Sequence, residues 1–123
     1  MDIADIVTRY LAAWNQTDAA ARAEALAALV APEARYVDPL ADVTGPEELG
    51  ALIGAVQDRF AGYSFSLYGA VDTHHDTARF RWALGPAGAA EPVVIGMDVI
   101  TVDAGGQVSQ VLGFLDRVPA TLG

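Results

Sequence analysis

The sequence predicts an α+β domain, in which helices come first along the chain and pack on one face of a curved, mainly antiparallel sheet. Two patterns predict this fold class. Apolar residues recur at helical spacing through the first sixty residues. After residue 62 the chain changes to runs of β-branched and aromatic residues separated by turn-forming segments. A length of 123 residues suits one hydrophobic core, so residues 1–123 are predicted to form a single domain.

Three helices are predicted. The first has Asp2 or Asp5 near its start and carries an apolar stripe with the period of an α-helix; its members are Ile3, Ile6, Val7, Tyr10, Leu11 and Trp14. The second is rich in alanine, has Thr17 or Asp18 as its N-cap and ends near Pro32. The third begins within residues 44–48, where a proline and two glutamates suit the first turn of a helix.

The remaining elements are predicted to be strands. A short extended segment precedes the third helix, and four longer β segments follow it; these are residues 36–38, 63–73, 77–84, 92–103 and 108–115.

Composition excludes several classes of function. Seven basic and sixteen acidic residues give a net charge of −9, which disfavours nucleic acids and anionic membrane surfaces as partners. The absence of cysteine and lysine removes disulfides, thiolate chemistry and Schiff-base chemistry. The first residues lack a basic segment before an apolar stretch, and no apolar run approaches the roughly 20 residues of a membrane span. A cytoplasmic location is therefore expected.

Asp98 is the sharpest chemical anomaly in the sequence. It is the only ionisable residue in the middle of a strand whose neighbours are apolar. Burial without a partner would raise its pKa and leave a neutral acid that can donate a hydrogen bond. The alternative is an ion pair with Arg79 or Arg81 on the neighbouring strand.

Strand alternation extends this prediction. If Asp98 faces a cavity, Gly96 and Ile100 share that face, whereas Met97 and Val99 point to the other side. An apolar outer face there predicts an oligomer, for which a homodimer is the expected form.

Asp38 and Tyr10 are further candidates. Asp38 ends an extended segment just before Pro39, so it can either aim at the interior or simply start a turn. Tyr10 lies within the apolar stripe one helical turn before Trp14, which carries its hydroxyl into the interior. There it can take part in a site, or bond to a backbone carbonyl as an ordinary core tyrosine.

Four motifs in this order resemble the nuclear transport factor 2-like superfamily, and within it the SnoaL-like polyketide cyclases and the ketosteroid isomerases. They are RYLAAWNQTD at 9–18, ARYVDP at 34–39, TGPEEL at 44–49 and GMDVITVDAGGQVSQVLGFLD at 96–116. The resemblance implies a cone-shaped, cystatin-like half barrel with three N-terminal helices that close a deep apolar cavity, commonly as a dimer through the sheet.

The resemblance also implies catalytic roles. Ketosteroid isomerases use a tyrosine of the first helix, an aspartate in the equivalent of YVDP and a second aspartate on the third strand. By motif these match Tyr10, Asp38 and Asp98. Asp38 is then the base that takes a proton from carbon beside a carbonyl group, while Tyr10 and a neutral Asp98 donate hydrogen bonds to the enolate.

Aromatic residues are predicted to line the cavity with these polar groups. Trp14, Phe60 and Trp82 are expected as substrate-binding walls, and His75 as a hydrogen-bonding lining residue. His74 and His75 are adjacent and would diverge on a strand, so no metal site is expected. No glycine-rich phosphate loop is recognisable, and no cofactor is expected.

The sequence thus predicts cofactor-free enolisation, isomerisation or aldol cyclisation of a small apolar carbonyl compound. One alternative is a domain of the same fold that binds a small ligand or dimerises without catalysis. A second alternative is an epoxide or lactone hydrolase, in which Asp98 paired with Arg79 or Arg81 activates water.

Overall fold

A computed structural model of the chain describes residues 2–119; the outermost residues of the predicted 1–123 domain lie outside this range. Within these residues three helices pack on a seven-stranded sheet. The elements in chain order are α1 (Ile3–Asn15), α2 (Ala19–Leu29), β1 (Val30–Asp38), β2 (Ala41–Thr44), α3 (Gly45–Arg59), β3 (Tyr63–Leu67), β4 (Asp72–His74), β5 (Thr77–Pro86), β6 (Val94–Val102) and β7 (Val108–Arg117). The predicted α+β class is confirmed.

The sheet is open and mixed. Its strand order is β2-β1-β7-β6-β5-β3, and β4 pairs with the other end of β5. All neighbouring strands are antiparallel except β1 and β7, which run parallel. The last strand of the chain therefore lies between the first strand and β6.

Helix starts follow the predicted capping chemistry. The Asp2 side chain accepts a hydrogen bond from the backbone N–H of Ala4 at 3.0 Å, and Asp18 accepts one from Ala21 at 2.9 Å. Asp2 is therefore the N-cap of α1 and Asp5 lies in its first turn, and Asp18 rather than Thr17 is the N-cap of α2. Each cap satisfies an N–H group that has no partner inside its own helix.

The second helix is shorter than predicted. It ends at Leu29, and the chain continues directly into β1, so Pro32 lies in a strand and does not mark the end of the helix. The β1–β7 ladder is irregular between Val30 and Arg35. A proline is tolerated in this interrupted stretch because the missing N–H removes no regular ladder hydrogen bond.

The strand predictions need two further corrections. The extended segment 36–38 is the end of a nine-residue strand that turns back into β2, a strand that was not predicted from the sequence. The predicted strand 63–73 is two strands, β3 and β4, separated by a break at residues 68–71. Gly69 in this break has a φ of +101°, a backbone conformation that interrupts a strand and that glycine adopts without strain.

The hydrophobic core lies between the helices and the inner face of the sheet. Its most deeply buried members include Val7, Leu26, Ile53, Ile100 and Val108, which come from all three helices and two strands. None of the helices in residues 2–119 combines the length and the apolar character that a membrane crossing requires.

Candidate active site

A cavity of about 520 Å³ lies between the helices and the sheet. Its walls come from α1, α3 and five strands, and most of them are apolar: Leu11, Val56, Phe65, Leu84, Val94 and Leu115 contribute. Leu40, which is 83% exposed, and Val118 also line the cavity and mark its mouth. The volume lies within the range of about 300–1,000 Å³ that is typical of small-molecule sites.

The structure brings the three predicted catalytic residues to this one cavity. Tyr10 comes from α1, Asp38 from the end of β1 and Asp98 from the middle of β6, and all three line its wall. The sheet order brings the two aspartates together, because β7 lies between β1 and β6, and α1 adds Tyr10 from the helical layer.

Asp98 is buried and keeps one polar contact. The side chain is 5% exposed, and its Oδ1 accepts a hydrogen bond of 3.2 Å from Nε1 of Trp82. The pKa of Asp98 is raised to about 7: burial is the largest cause, the Trp82 N–H acts in the opposite direction, and the charge of Asp38 adds to the increase. At neutral pH a large fraction of this carboxyl is therefore protonated and can donate a hydrogen bond.

The predicted alternative for Asp98, an ion pair with an arginine, does not match the structure. Arg79 bonds Asp72 at 3.0 Å, and Arg81 bonds Asp116 at 3.3 Å. Both arginines are exposed and occupy the face of β5 that points away from Asp98. Among the described residues no basic group is within ion-pair distance of Asp98. The Asp–Arg pair that the hydrolase alternative requires is therefore not formed.

Asp38 is held at both carboxylate oxygens. Oδ1 accepts a hydrogen bond of 2.8 Å from the backbone N–H of Leu40, and Oδ2 accepts one from the hydroxyl of Tyr36. These contacts orient the carboxylate at the cavity wall, beyond its function in starting the turn between β1 and β2. Each oxygen still has a second lone pair that can accept a proton.

Tyr36 was missed by the sequence analysis. Its pKa is raised well above the ordinary value, chiefly by burial and then by the neighbouring Tyr10 and Asp98, so the phenol stays neutral and donates to Asp38. Strand alternation could have predicted this contact. Residues two apart on a strand share a face, and in YVDP Tyr36 comes two residues before Asp38.

Tyr10 is completely buried, with its ring edge-on to Phe80 at 6.3 Å and to Trp14 at 6.4 Å. Within residues 2–119 neither its hydroxyl nor Nε1 of Trp14 has a hydrogen-bond partner. Burial raises the pKa of Tyr10, as does the charge of Asp98, and the nearby Trp14 N–H acts in the opposite direction without reaching hydrogen-bond geometry. The alternative of a core tyrosine bonded to a carbonyl does not match this arrangement.

Gly113 on β7 separates the two acids. A Cβ atom at this position would lie 2.8 Å from Oδ1 of Asp98 and 3.3 Å from Cβ of Asp38. Both aspartates therefore approach the same point of β7, and the absence of a side chain there gives the Asp98 carboxylate its place.

The predicted wall residues divide into two groups. Trp14, Phe60 and Trp82 line the cavity. His75 does not: it lies in the exposed turn between β4 and β5, has a φ of +51° and places Nδ1 3.2 Å from Nδ1 of His74. The expectation that His75 lines the cavity does not match this position, because the turn directs it away from the inner face of the sheet.

Two further observations concern a basic residue at the cavity and the groups that could bind a metal. Arg59, in the last turn of α3, lines the cavity and is exposed. In the described part of the chain no group of three or more histidine, cysteine or acidic side chains is placed to hold a metal ion.

Comparison with known proteins gives one family. The SnoaL-like domain family matches residues 7–111. The structure of a candidate isomerase of the SnoaL-like family from Agrobacterium tumefaciens superimposes with a TM-score of 0.86 at 38% identity, covering 91% of this chain and 95% of that chain. A search of curated proteins found no match.

More distant structures share the fold. A candidate polyketide cyclase from Sinorhizobium meliloti gives a TM-score of 0.68 at 21% identity and covers 89% of this chain and 93% of that chain. An NTF2-like protein of unknown function from Cytophaga hutchinsonii gives 0.70 at 9% identity, with coverage of 94% and 91%. Since the family match extends over most of its length, the chain belongs to the SnoaL-like family.

Proposed function

We propose that this protein binds a small apolar carbonyl compound in the cavity and catalyses its enolisation without a cofactor, leading to isomerisation or aldol cyclisation. The observation that carries the proposal is the pairing of two acids in different environments. Asp38 accepts a hydrogen bond at each of its two carboxylate oxygens, whereas Asp98 is buried among apolar groups with a pKa of about 7. A base and a hydrogen-bond donor therefore line the same apolar cavity.

Each of the two acids has its own role in the proposed reaction. Asp38 takes a proton from the carbon beside the carbonyl group, and the electron pair of the C–H bond moves toward the carbonyl oxygen. The resulting enolate oxygen receives hydrogen bonds from the protonated Asp98 and from Tyr10. Asp38 then returns the proton to another carbon, which completes an isomerisation. In a cyclisation the enolate carbon instead attacks a second carbonyl group, whose oxygen receives the proton.

The related structures support the reaction class. The relative at 38% identity is described as a candidate isomerase, and a more distant one as a candidate polyketide cyclase. Isomerisation and cyclisation are both reactions that an enolate intermediate allows.

A non-catalytic binding domain is the second candidate, and one observation favours it. The Tyr10 hydroxyl and Trp14 Nε1 are covered by neighbouring atoms. A ligand oxygen reaches either group only after nearby side chains move. A domain that only binds an apolar molecule needs no such movement.

Proton exchange separates the two candidates. We expect the wild type to incorporate deuterium from D₂O into 3-cyclohexenone, a β,γ-unsaturated ketone, and Asp38→Asn to lose at least about 100-fold of this rate. Asp42→Asn is the matched control, because Asp42 lies on the adjacent strand but is exposed and paired with Arg35 at 3.0 Å. Equal exchange in wild type and Asp38→Asn would remove Asp38 as the base. Binding of the ketone without exchange in the wild type would favour the binding domain.

We also propose a homodimer through the outer face of the sheet. Met97 pairs with Phe114 and Val99 pairs with Leu112 across β6 and β7, on the face opposite Asp98. Phe114 is 57% exposed, which is unusual for a large aromatic side chain in the centre of a sheet. A second copy of the chain would cover this apolar row.

A further inference from the structure

The side chain of Trp82 packs against β6 at a position that only glycine leaves open. Trp82 and Gly96 are direct neighbours across β5 and β6. A Cβ atom at residue 96 would meet three atoms of the six-membered ring of the indole, with Cη2 2.8 Å away and Cζ2 and Cε2 closer still. The indole therefore occupies the volume in which any other residue would place its side chain.

This position brings the indole nitrogen to Asp98. Gly96 and Asp98 are two residues apart and share the inner face of β6, so a ring lying over Gly96 extends toward the carboxyl group. Nε1 of Trp82 lies 3.2 Å from Oδ1 of Asp98. An indole N–H is a donor and never an acceptor, so Oδ1 must be the accepting oxygen. When Asp98 is protonated, its proton is therefore carried by Oδ2.

The other groups around Asp98 do not compete for Oδ1. Asp98 has Phe80 as its neighbour on β5 and Gly113 as its neighbour on β7. The side chain of Phe80 has no polar atom, and Gly113 has no side chain. The charge of Asp38 acts on the carboxyl group of Asp98, and the charge of Asp98 acts on Tyr10, but neither residue has a hydrogen bond to Asp98 among the described residues. The indole is thus its single direct hydrogen-bond partner in this part of the chain.

We propose that Trp82 is a positioning residue for Asp98: it holds Oδ1 as an acceptor and leaves the proton on Oδ2, directed at the ligand carbonyl. Gly96 makes this possible by giving the indole room. The proposal rests on the proposed function, in which Asp98 donates a hydrogen bond to the enolate. It adds a residue that acts through Asp98 without itself receiving or giving a proton.

The contact can be measured in the wild type. The chain has two tryptophans, so its NMR spectrum has two indole N–H signals. The Trp82 signal should move as Asp98 titrates near pH 7, while the Trp14 signal should move much less, because no hydrogen bond joins Trp14 to Asp98. If neither signal follows the Asp98 carboxyl carbon, the hydrogen bond is absent and the proposal is overturned. This measurement requires no variant to fold.

Two variants test the consequence for Asp98. Trp82→Phe keeps a ring and removes the N–H, so the pKa of Asp98 should rise by about one unit above its wild-type value. Gly96→Ala keeps the tryptophan but displaces its ring, and should give the same upward shift. Trp14→Phe removes an N–H from the same cavity and should leave the Asp98 titration unchanged.

The outcomes separate this proposal from the proposed function. An Asp98 titration that is the same in wild type, Trp82→Phe and Gly96→Ala overturns the positioning by Trp82, whether or not the protein exchanges protons with the ketone. Conversely, an upward shift in both variants together with no exchange in the wild type supports the contact and rejects the enolisation reaction. The carboxyl-carbon titration and the deuterium assay are thus run on the same protein samples.

Discussion

Replacing Asp98 with asparagine isolates the free energy that the buried carboxylate costs. Its pKa is about 7 in the folded chain against an ordinary value of 3.8. At about 1.4 kcal/mol for each pKa unit, this difference corresponds to roughly 4 kcal/mol when the group is fully charged. The folded state binds the Asp98 proton more tightly than the unfolded state does. The free energy of unfolding is therefore highest below about pH 3.8 and falls as the pH rises to about 7. Asparagine carries no charge, so this contribution to the pH dependence of the free energy of unfolding is absent from Asp98→Asn.

The assay is urea denaturation of wild type and Asp98→Asn at several pH values. We expect the free energy of unfolding of Asp98→Asn minus that of the wild type to increase by about 2 to 3 kcal/mol between pH 5 and pH 8. Any constant effect of the amide on packing cancels from this change. The reverse sign would mean that the carboxylate is stabilised by a partner.

Asp42→Asn is the control for this experiment. Asp42 is exposed, and its hydrogen bond with Arg35 lowers its pKa below the ordinary value. Asp42 stays charged in the folded and unfolded chains across pH 5 to 8. The difference in free energy of unfolding between Asp42→Asn and the wild type should therefore not change with pH in this range. A flat line for Asp98→Asn as well would refute the reasoning, since it would show that Asp98 is not buried in a low-dielectric environment.

Two further predictions concern Gly113 and the outer face of the sheet. Gly113→Ala should lower the free energy of unfolding by about 1 to 3 kcal/mol in urea denaturation, because its Cβ would lie 2.8 Å from the Asp98 carboxylate; Gly105→Ala, whose Cβ has its closest contact at 3.5 Å, should change it by less than about 0.5 kcal/mol. Equal effects would contradict the steric argument. Phe114→Glu should convert a dimer into a monomer in sedimentation velocity, whereas Leu40→Glu at the cavity mouth should not; a wild-type monomer would reject the dimer.

Local sequence patterns predicted much of the fold. The apolar stripe gave α1, and the proline with two glutamates gave the start of α3, because both depend on residues a few positions apart. β2 was missed because four residues carry too little periodicity, and its pairing with β1 decides its conformation. Pro32 misled the prediction for α2, because the irregular β1–β7 ladder tolerates it.

The candidate site was predictable only in part. A lone acid in an apolar strand identified Asp98, and a resemblance to known motifs identified Asp38 and Tyr10. The contact of Trp82 with Asp98 depends on the register of β5 against β6, which no local pattern encodes. His75 was expected at the cavity wall, but residues 75 and 76 form an exposed turn between β4 and β5.

The place of β7 between β1 and β6 affects the synthesis of the protein. Ribosomes deliver the chain from its N-terminus, so the strands that carry Asp38 and Asp98 emerge before the strand that joins them. Until residues 108–117 leave the exit tunnel, both neighbours present unpaired edges on which other nascent chains can dock. Completion of the sheet and formation of the cavity are therefore one late event, and a chain cut before residue 108 would be prone to aggregation.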